Sequence, residues 1–192
     1  MHRLYLGLAL GCAATFLAAA PAQASFIGQD FTATYEVPGL GQVYPQASWS
    51  PVTFTAGAGT ETTGTIEGVT TIAVDFAANS LTLVLNTVLA GPTWNGTAFN
   101  GPVFSAAGPL GIASASVNAA TTLAGFDPSR ISFTGSAIQV NWQGLGYVDG
   151  SRVALDFTFA PVPVPEPASL ALFGAGLVGL LAMRRRPAAP MA

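Results

Sequence analysis

Between residues 25 and 164 there is no histidine, cysteine or lysine, so catalysis there would fall to carboxylates. The chain's one histidine is His2 and its one cysteine is Cys12, and it contains no lysine. A Ser-His-Asp triad, a cysteine nucleophile and a Cys/His zinc site are therefore excluded from this stretch. Eight acids remain: Asp30, Glu36, Glu61, Glu67, Asp75, Asp127, Asp149 and Asp156. Carboxylate hydrolysis of a glycosidic bond needs two of them facing one another, and no spacing selects a pair. Asp75 and Asp156 fall on the polar side of strand-like runs, where a solvated face is the simpler reading. Asp127 and Asp149 sit in turns with carbonyls nearby, a setting that suits calcium. Asp in a turn, however, usually bonds its own backbone. The expectation is no catalytic residues, no metal and no cofactor, hence not an enzyme.

Aromatic side chains offer a different chemistry. Trp49 and Trp94 lie in loop-like stretches, and Tyr147 follows Gly144-Leu145-Gly146. Exposed rings of this kind would form a platform for sugar. Trp142 continues an apolar strand face and reads as core. The charge balance points away from nucleic acid. Arg130 and Arg152 are the only basic residues in this stretch, which gives it a net charge of minus six. A nucleic-acid partner needs a basic face.

The elements that must position these residues show a period of two. Phe31, Ala33, Tyr35 and Val37 alternate with polar neighbours. So do Ile138, Val140 and Trp142; Ile72, Val74 and Phe76 alternate with Thr71, Ala73 and Asp75, and Val153, Leu155, Phe157 and Phe159 with Ala154, Asp156 and Thr158, while Leu81, Leu83, Leu85 and Leu89 share one face with Thr82 and Asn86 opposite. Such runs predict half-buried strands of antiparallel sheets. Turn signals separate them at Pro38-Gly39, Gly57 to Gly59, Asn95-Gly96, Asn100-Gly101-Pro102, Gly108-Pro109, Asp127-Pro128 and Asp149-Gly150. Residues 39–64 lack periodicity and read as a long loop around a short strand at Val52 to Thr55. The predicted fold is all-β: an antiparallel β-sandwich of seven to ten strands, with a jelly roll as one option. Phe133, Val140, Leu155 and Phe157 are expected in its core.

Distinct segments flank the sandwich. Met1-His2-Arg3 and the apolar run Leu4 to Ala20 precede Pro21-Ala22-Gln23-Ala24. This is the pattern of a signal helix in a secretory leader over residues 1–24, with Ala22 and Ala24 marking cleavage. Residues 25–160 form the secreted domain. Residues 161–167 alternate proline with small residues and predict an extended polyproline spacer. An uncharged run from Ala168 to Met183 leads into Arg184, Arg185 and Arg186. Residues 168–186 are expected to form a transmembrane helix whose arginines set topology, although about 24 Å of helix is short for a hydrocarbon core of about 30 Å. Residues 187–192 would be a short cytoplasmic tail. Gly174-Ala175-Gly176-Leu177-Val178-Gly179 fits the dinucleotide pattern G-x-G-x-x-G but lacks the strand before it and the acid after it.

Val164, Pro165, Glu166 and Pro167, the apolar helix and the Arg184–Arg186 end together resemble the PEP-CTERM sorting signal. The resemblance covers roughly the last thirty residues. It implies an exosortase partner, a membrane-embedded transpeptidase-like enzyme of Gram-negative bacteria. It also implies export across the inner membrane, transient anchoring there, and release to the periplasm, cell surface or extracellular matrix. The sandwich would then be a structural or adhesive envelope protein. The alternative is a carbohydrate-binding module acting on exopolysaccharide, and a carboxylate hydrolase ranks third.

Overall fold

The computed structural model describes residues 25–161 and 168–184 of the 192-residue chain. The chain divides into two compact units, and Gln23–Val162 makes up the larger one. Within it, eleven strands form two antiparallel sheets.

The five-stranded sheet contains β1 (Asp30–Glu36), β3 (Thr53–Thr55), β7 (Gly101–Ala106), β9 (Ile131–Phe133) and β10 (Ala137–Val140), in the order β3-β1-β7-β10-β9. The six-stranded sheet contains β2 (Ala47–Ser50), β4 (Thr60–Ile66), β5 (Thr70–Phe76), β6 (Ser80–Thr87), β8 (Ile112–Val117) and β11 (Ser151–Phe159), in the order β2-β4-β5-β6-β11-β8. The all-β fold expected from alternation is therefore the fold observed.

Alternation sets the register. On β5, Ile72, Val74 and Phe76 face inward opposite Leu85, Leu83 and Leu81 of β6. The next ladder continues this layer, with Leu81, Leu83 and Leu85 opposite Leu155, Val153 and Ser151 of β11. A one-residue slip would turn every one of these side chains to solvent. Phe26 plugs one end of the core. It is fully buried, and its ring meets Phe31, Phe76, Phe157 and Phe159 edge-on, the nearest centroid being that of Phe157 at 5.0 Å.

Several expectations need correction. Residues 39–64 are not one long loop, because β2 and most of β4 lie there. The inward positions of β4 are Thr62, Gly64 and Ile66, so hydropathy hides the strand. Gly64 must be small: a Cβ there would lie 2.8 Å from the indole of Trp49, its partner on β2. Gly101-Pro102 starts β7 rather than making a turn. Pro102 sits at the strand's first pairs, opposite Tyr35, where its missing N–H is tolerated. Leu89 lies beyond the end of β6 and is exposed. Val140, Leu155 and Phe157 are buried, but Phe133 is only half-buried because β9 is an edge strand of three residues.

The second unit contributes α1 (Ala168–Arg184), 17 residues long. Leu172, Phe173, Leu177, Val178, Leu180 and Leu181 are all exposed, so apolar side chains surround most of its circumference. Its length does not meet the expectation of a transmembrane helix over 168–186. Seventeen residues rise about 25 Å, and among the described residues no helix is long and apolar enough to cross a membrane.

Candidate functional site

The sorting residues Val164, Pro165, Glu166 and Pro167 lie outside the described residues, as do Arg185, Arg186, Ala22 and Ala24. Arg184 is the last residue of α1. The polypeptide just after residue 24 is fixed in place: the Phe26 ring is in the core and its N–H donates to the Ala78 carbonyl at 3.0 Å.

The four acids singled out for chemistry are dispersed. Asp127 caps the 3-10 turn Pro128–Arg130 and accepts from the Ser129 N–H at 2.8 Å and the Ser129 hydroxyl at 2.6 Å. The Ser129 hydroxyl, and secondarily its N–H, hold the Asp127 carboxyl below the usual carboxylate range. Asp149 accepts from the Thr87 N–H at 2.9 Å. Asp127 thus serves its own turn, whereas Asp149 ties its turn to the end of β6. Asp75 and Asp156 share the outer face of the six-stranded sheet, but β6 runs between them. Their registers put the two Cα atoms about 12 Å apart by ordinary strand spacings. Asp156 is also engaged by the Asn118 side-chain amide at 2.7 Å. Among the described residues, no group of three His, Cys, Asp or Glu side chains is placed to hold a metal ion.

The exposed sugar platform expected from Trp49, Trp94 and Tyr147 does not exist. Their exposures are 9%, 7% and 7%. Trp49 lies over Gly64 and meets Phe104 edge-on at 5.9 Å. Trp94 and Tyr147 belong to two loops that zip together. The Trp94 N–H donates to the Leu145 carbonyl at 2.9 Å, the Gly144 N–H to the Trp94 carbonyl at 3.1 Å, and the Tyr147 N–H to the Pro92 carbonyl at 2.9 Å. This ladder draws both rings inward. Trp94 stacks on Tyr147 at 4.5 Å and on Trp142 at 5.4 Å.

The same ladder builds a site that alternation could not reveal. A cavity of about 120 Å³ opens between the zipped loops, the β4–β5 turn and the segment around Tyr44. Tyr35, Tyr44, Trp94 and Tyr147 are its aromatic lining, and among the described residues Glu67 is its only carboxyl. Each phenol hydroxyl is engaged. Tyr35 donates to the Asn100 side-chain oxygen at 2.6 Å and accepts from the Trp142 indole N–H at 2.8 Å. Tyr147 shares a 2.7 Å bond with Thr70, and Tyr44 donates to Glu67. Burial pushes the Tyr35 phenol well above the usual tyrosine range and raises that of Tyr147. The Tyr44 phenol is raised first by its bond to the Glu67 carboxylate.

Glu67 occupies an unusual backbone position. With Gly68 it forms the tip of the β4–β5 hairpin, at φ 53° and 70° respectively, closed by the Val69 N–H on the Ile66 carbonyl at 3.1 Å. Such a turn favours Asn-Gly, Asp-Gly or Gly-Gly. Glu67 is the only described residue other than glycine with positive φ. Neither Glu67 nor Tyr44 carries a sequence signal, since one is an acid in a turn and the other an aromatic in an aperiodic stretch.

Comparison with known proteins bears on the other unit. No curated protein and no solved structure matches the chain. Residues 163–186 match the family model described as the PEP-CTERM protein-sorting motif. The match takes in the proline-flanked Glu166, α1 and the arginines after it, and such a motif implies export, processing by an exosortase, and a surface or extracellular destination. The chain therefore carries a PEP-CTERM protein-sorting motif at residues 163–186, with a two-sheet β unit preceding it.

Proposed function

We propose that the β unit is a non-catalytic structural or adhesive component of the cell envelope or extracellular matrix of a Gram-negative bacterium. In this reading a leader over residues 1–24 directs export. The short apolar helix is held at the inner membrane until an exosortase acts near Pro165-Glu166-Pro167. The observation that carries the reading is the match over residues 163–186, joined to a unit of all-β architecture. Phe26 supports the leader boundary, because the core takes up the chain two residues past Ala24.

Glu166 is the residue the processing enzyme reads. Prolines flank it at 165 and 167, and residues with restricted φ lower the ordering cost of recognising the single carboxylate between them. Glu166→Gln keeps shape and removes charge. In the native host, the variant should accumulate as an unprocessed, membrane-associated form, seen by electrophoretic mobility in membrane and extracellular fractions. Equal processing of wild type and variant would overturn the sorting role of Glu166.

A second reading, a carbohydrate-binding module, is favoured by the polar, aromatic-lined cavity at Trp94 and Tyr147. Binding on a glycan array would distinguish it from a purely structural role.

A further inference from the structure

We propose that the cavity bounded by Glu67, Tyr44, Tyr35 and Trp94 is a recognition site for a small organic ammonium group. The lining combines four aromatic rings with one carboxylate and, among the described residues, includes no basic side chain. The Glu67 carboxylate, and an aromatic face left open beside it, attract the same kind of ligand, a cation that has shed part of its water; Trp94, covered on both faces by Tyr147 and Trp142, lines the cavity only by its edge. An anion would meet repulsion from Glu67. A purely apolar ligand would strip water from that carboxylate without replacing its interactions. Neither arginine of the β unit lines the site. Arg130 donates to the carbonyls of Gly125 and Gln143, at 3.2 and 2.9 Å, and Arg152 is an exposed residue of β11.

Glu67 is also held for this purpose at some conformational cost. A left-handed backbone is disfavoured for a residue with a Cβ and γ-carbon, and Asn or Gly would close the same turn more easily. Strain at a cavity rim is a pointer to function. Tyr44 binds only Oε1 of the carboxylate, so among the described residues Oε2 accepts no hydrogen bond. It remains available to an ammonium N–H or to the positive face of a quaternary nitrogen. The volume, about 120 Å³, suits an ammonium head while the body of the ligand stays outside. Two sources share this chemistry: an amino-sugar unit with a free amine, and a quaternary head such as choline. The inference does not depend on the sorting role of residues 163–186.

The test is calorimetric titration of the full chain in mild detergent, with tryptophan fluorescence as a parallel readout. Glucosamine and choline are compared with N-acetylglucosamine and glucose at constant ionic strength. At least one of the two cations should bind, about tenfold or more tighter than either neutral sugar, and which one binds identifies the source. Glu67→Gln and Glu67→Gly should each lose about tenfold or more in that affinity. Glu67→Gly is the folding control, because glycine accepts positive φ. Equal binding of the neutral sugars, no saturable binding of either cation, or unchanged cation affinity in a folded Glu67→Gly protein would each overturn the proposal.

Discussion

Trp142 donates its indole N–H to the Tyr35 hydroxyl at 2.8 Å, across 107 positions of sequence, and Tyr35 passes the chain on to Asn100 at 2.6 Å. Both rings are almost fully buried. The hydroxyl therefore satisfies two buried polar groups, the indole N–H of a fully buried ring and the Asn100 oxygen beside the cavity. Tyr35→Phe would leave the Trp142 N–H and the Asn100 oxygen unpaired at once. At about 1–3 kcal/mol for each stranded group, the expected loss is about 2–6 kcal/mol. Urea denaturation of wild type and variant measures it. A loss below about 0.5 kcal/mol, within the range of ordinary surface changes, would mean that the network relaxes onto other partners.

The same phenol makes stability depend on alkaline pH. Burial raises the folded-state pKa of Tyr35, and more modestly that of Tyr147. A raised folded pKa contributes stability that is fully present below the unfolded value, about 10, and is lost as pH climbs from there through the folded value. The melting temperature should hold level into mildly alkaline solution and fall beyond about pH 10. Ultraviolet titration should show the Tyr35 phenolate appearing together with loss of the β signal in circular dichroism. Ionisation of every tyrosine in a still-folded chain would contradict the burial argument.

Gly64 and Trp49 test whether β2 is anchored by a ring lying on a backbone. An alanine Cβ at position 64 would meet the indole at 2.8 Å, so the ring must move out from under its contact with Phe104. Overpacking of this kind costs about 1–3 kcal/mol. Combining Gly64→Ala with Trp49→Leu should make the two changes less than additive, as expected for neighbours in contact. Strict additivity in a double-mutant cycle would show that the two sites are not coupled.

Two phenylalanines distinguish the core from the edge. Phe157 is 2% exposed and meets Phe26 edge-on, so Phe157→Ala should cost about 3–5 kcal/mol. Phe133 is half-buried on the edge strand β9. Phe133→Ala should cost clearly less, about 1 kcal/mol, near the centre of the point-mutation distribution. Chemical denaturation of the two variants side by side decides it. Equal losses would require β9 to be covered.

Alternation alone identifies β1, β5, β6, β10 and β11 and the inward faces they share, because a strand with one wet face must write that face into every second residue. The sorting segment is equally legible. Pro165-Glu166-Pro167, an uncharged run and an Arg triplet act through local chemistry, so their order along the chain is the signal. β4 escapes notice because its inward side holds Thr62 and Gly64, and the smallness of Gly64 makes sense only once Trp49 is known to lie across it. The Gly101-Pro102 start of β7 escapes for a similar reason. Trp94 and Tyr147 could have stood in water or in the core, since an aromatic in a Gly- and Pro-rich loop is compatible with both. Hydrogen bonds between loops some fifty residues apart chose the core. The cavity follows from that choice, because Tyr35, Glu67, Trp94 and Tyr147 lie on four separate segments of the chain. No local pattern encodes their meeting, and only the closing of the two sheets around one core brings them together.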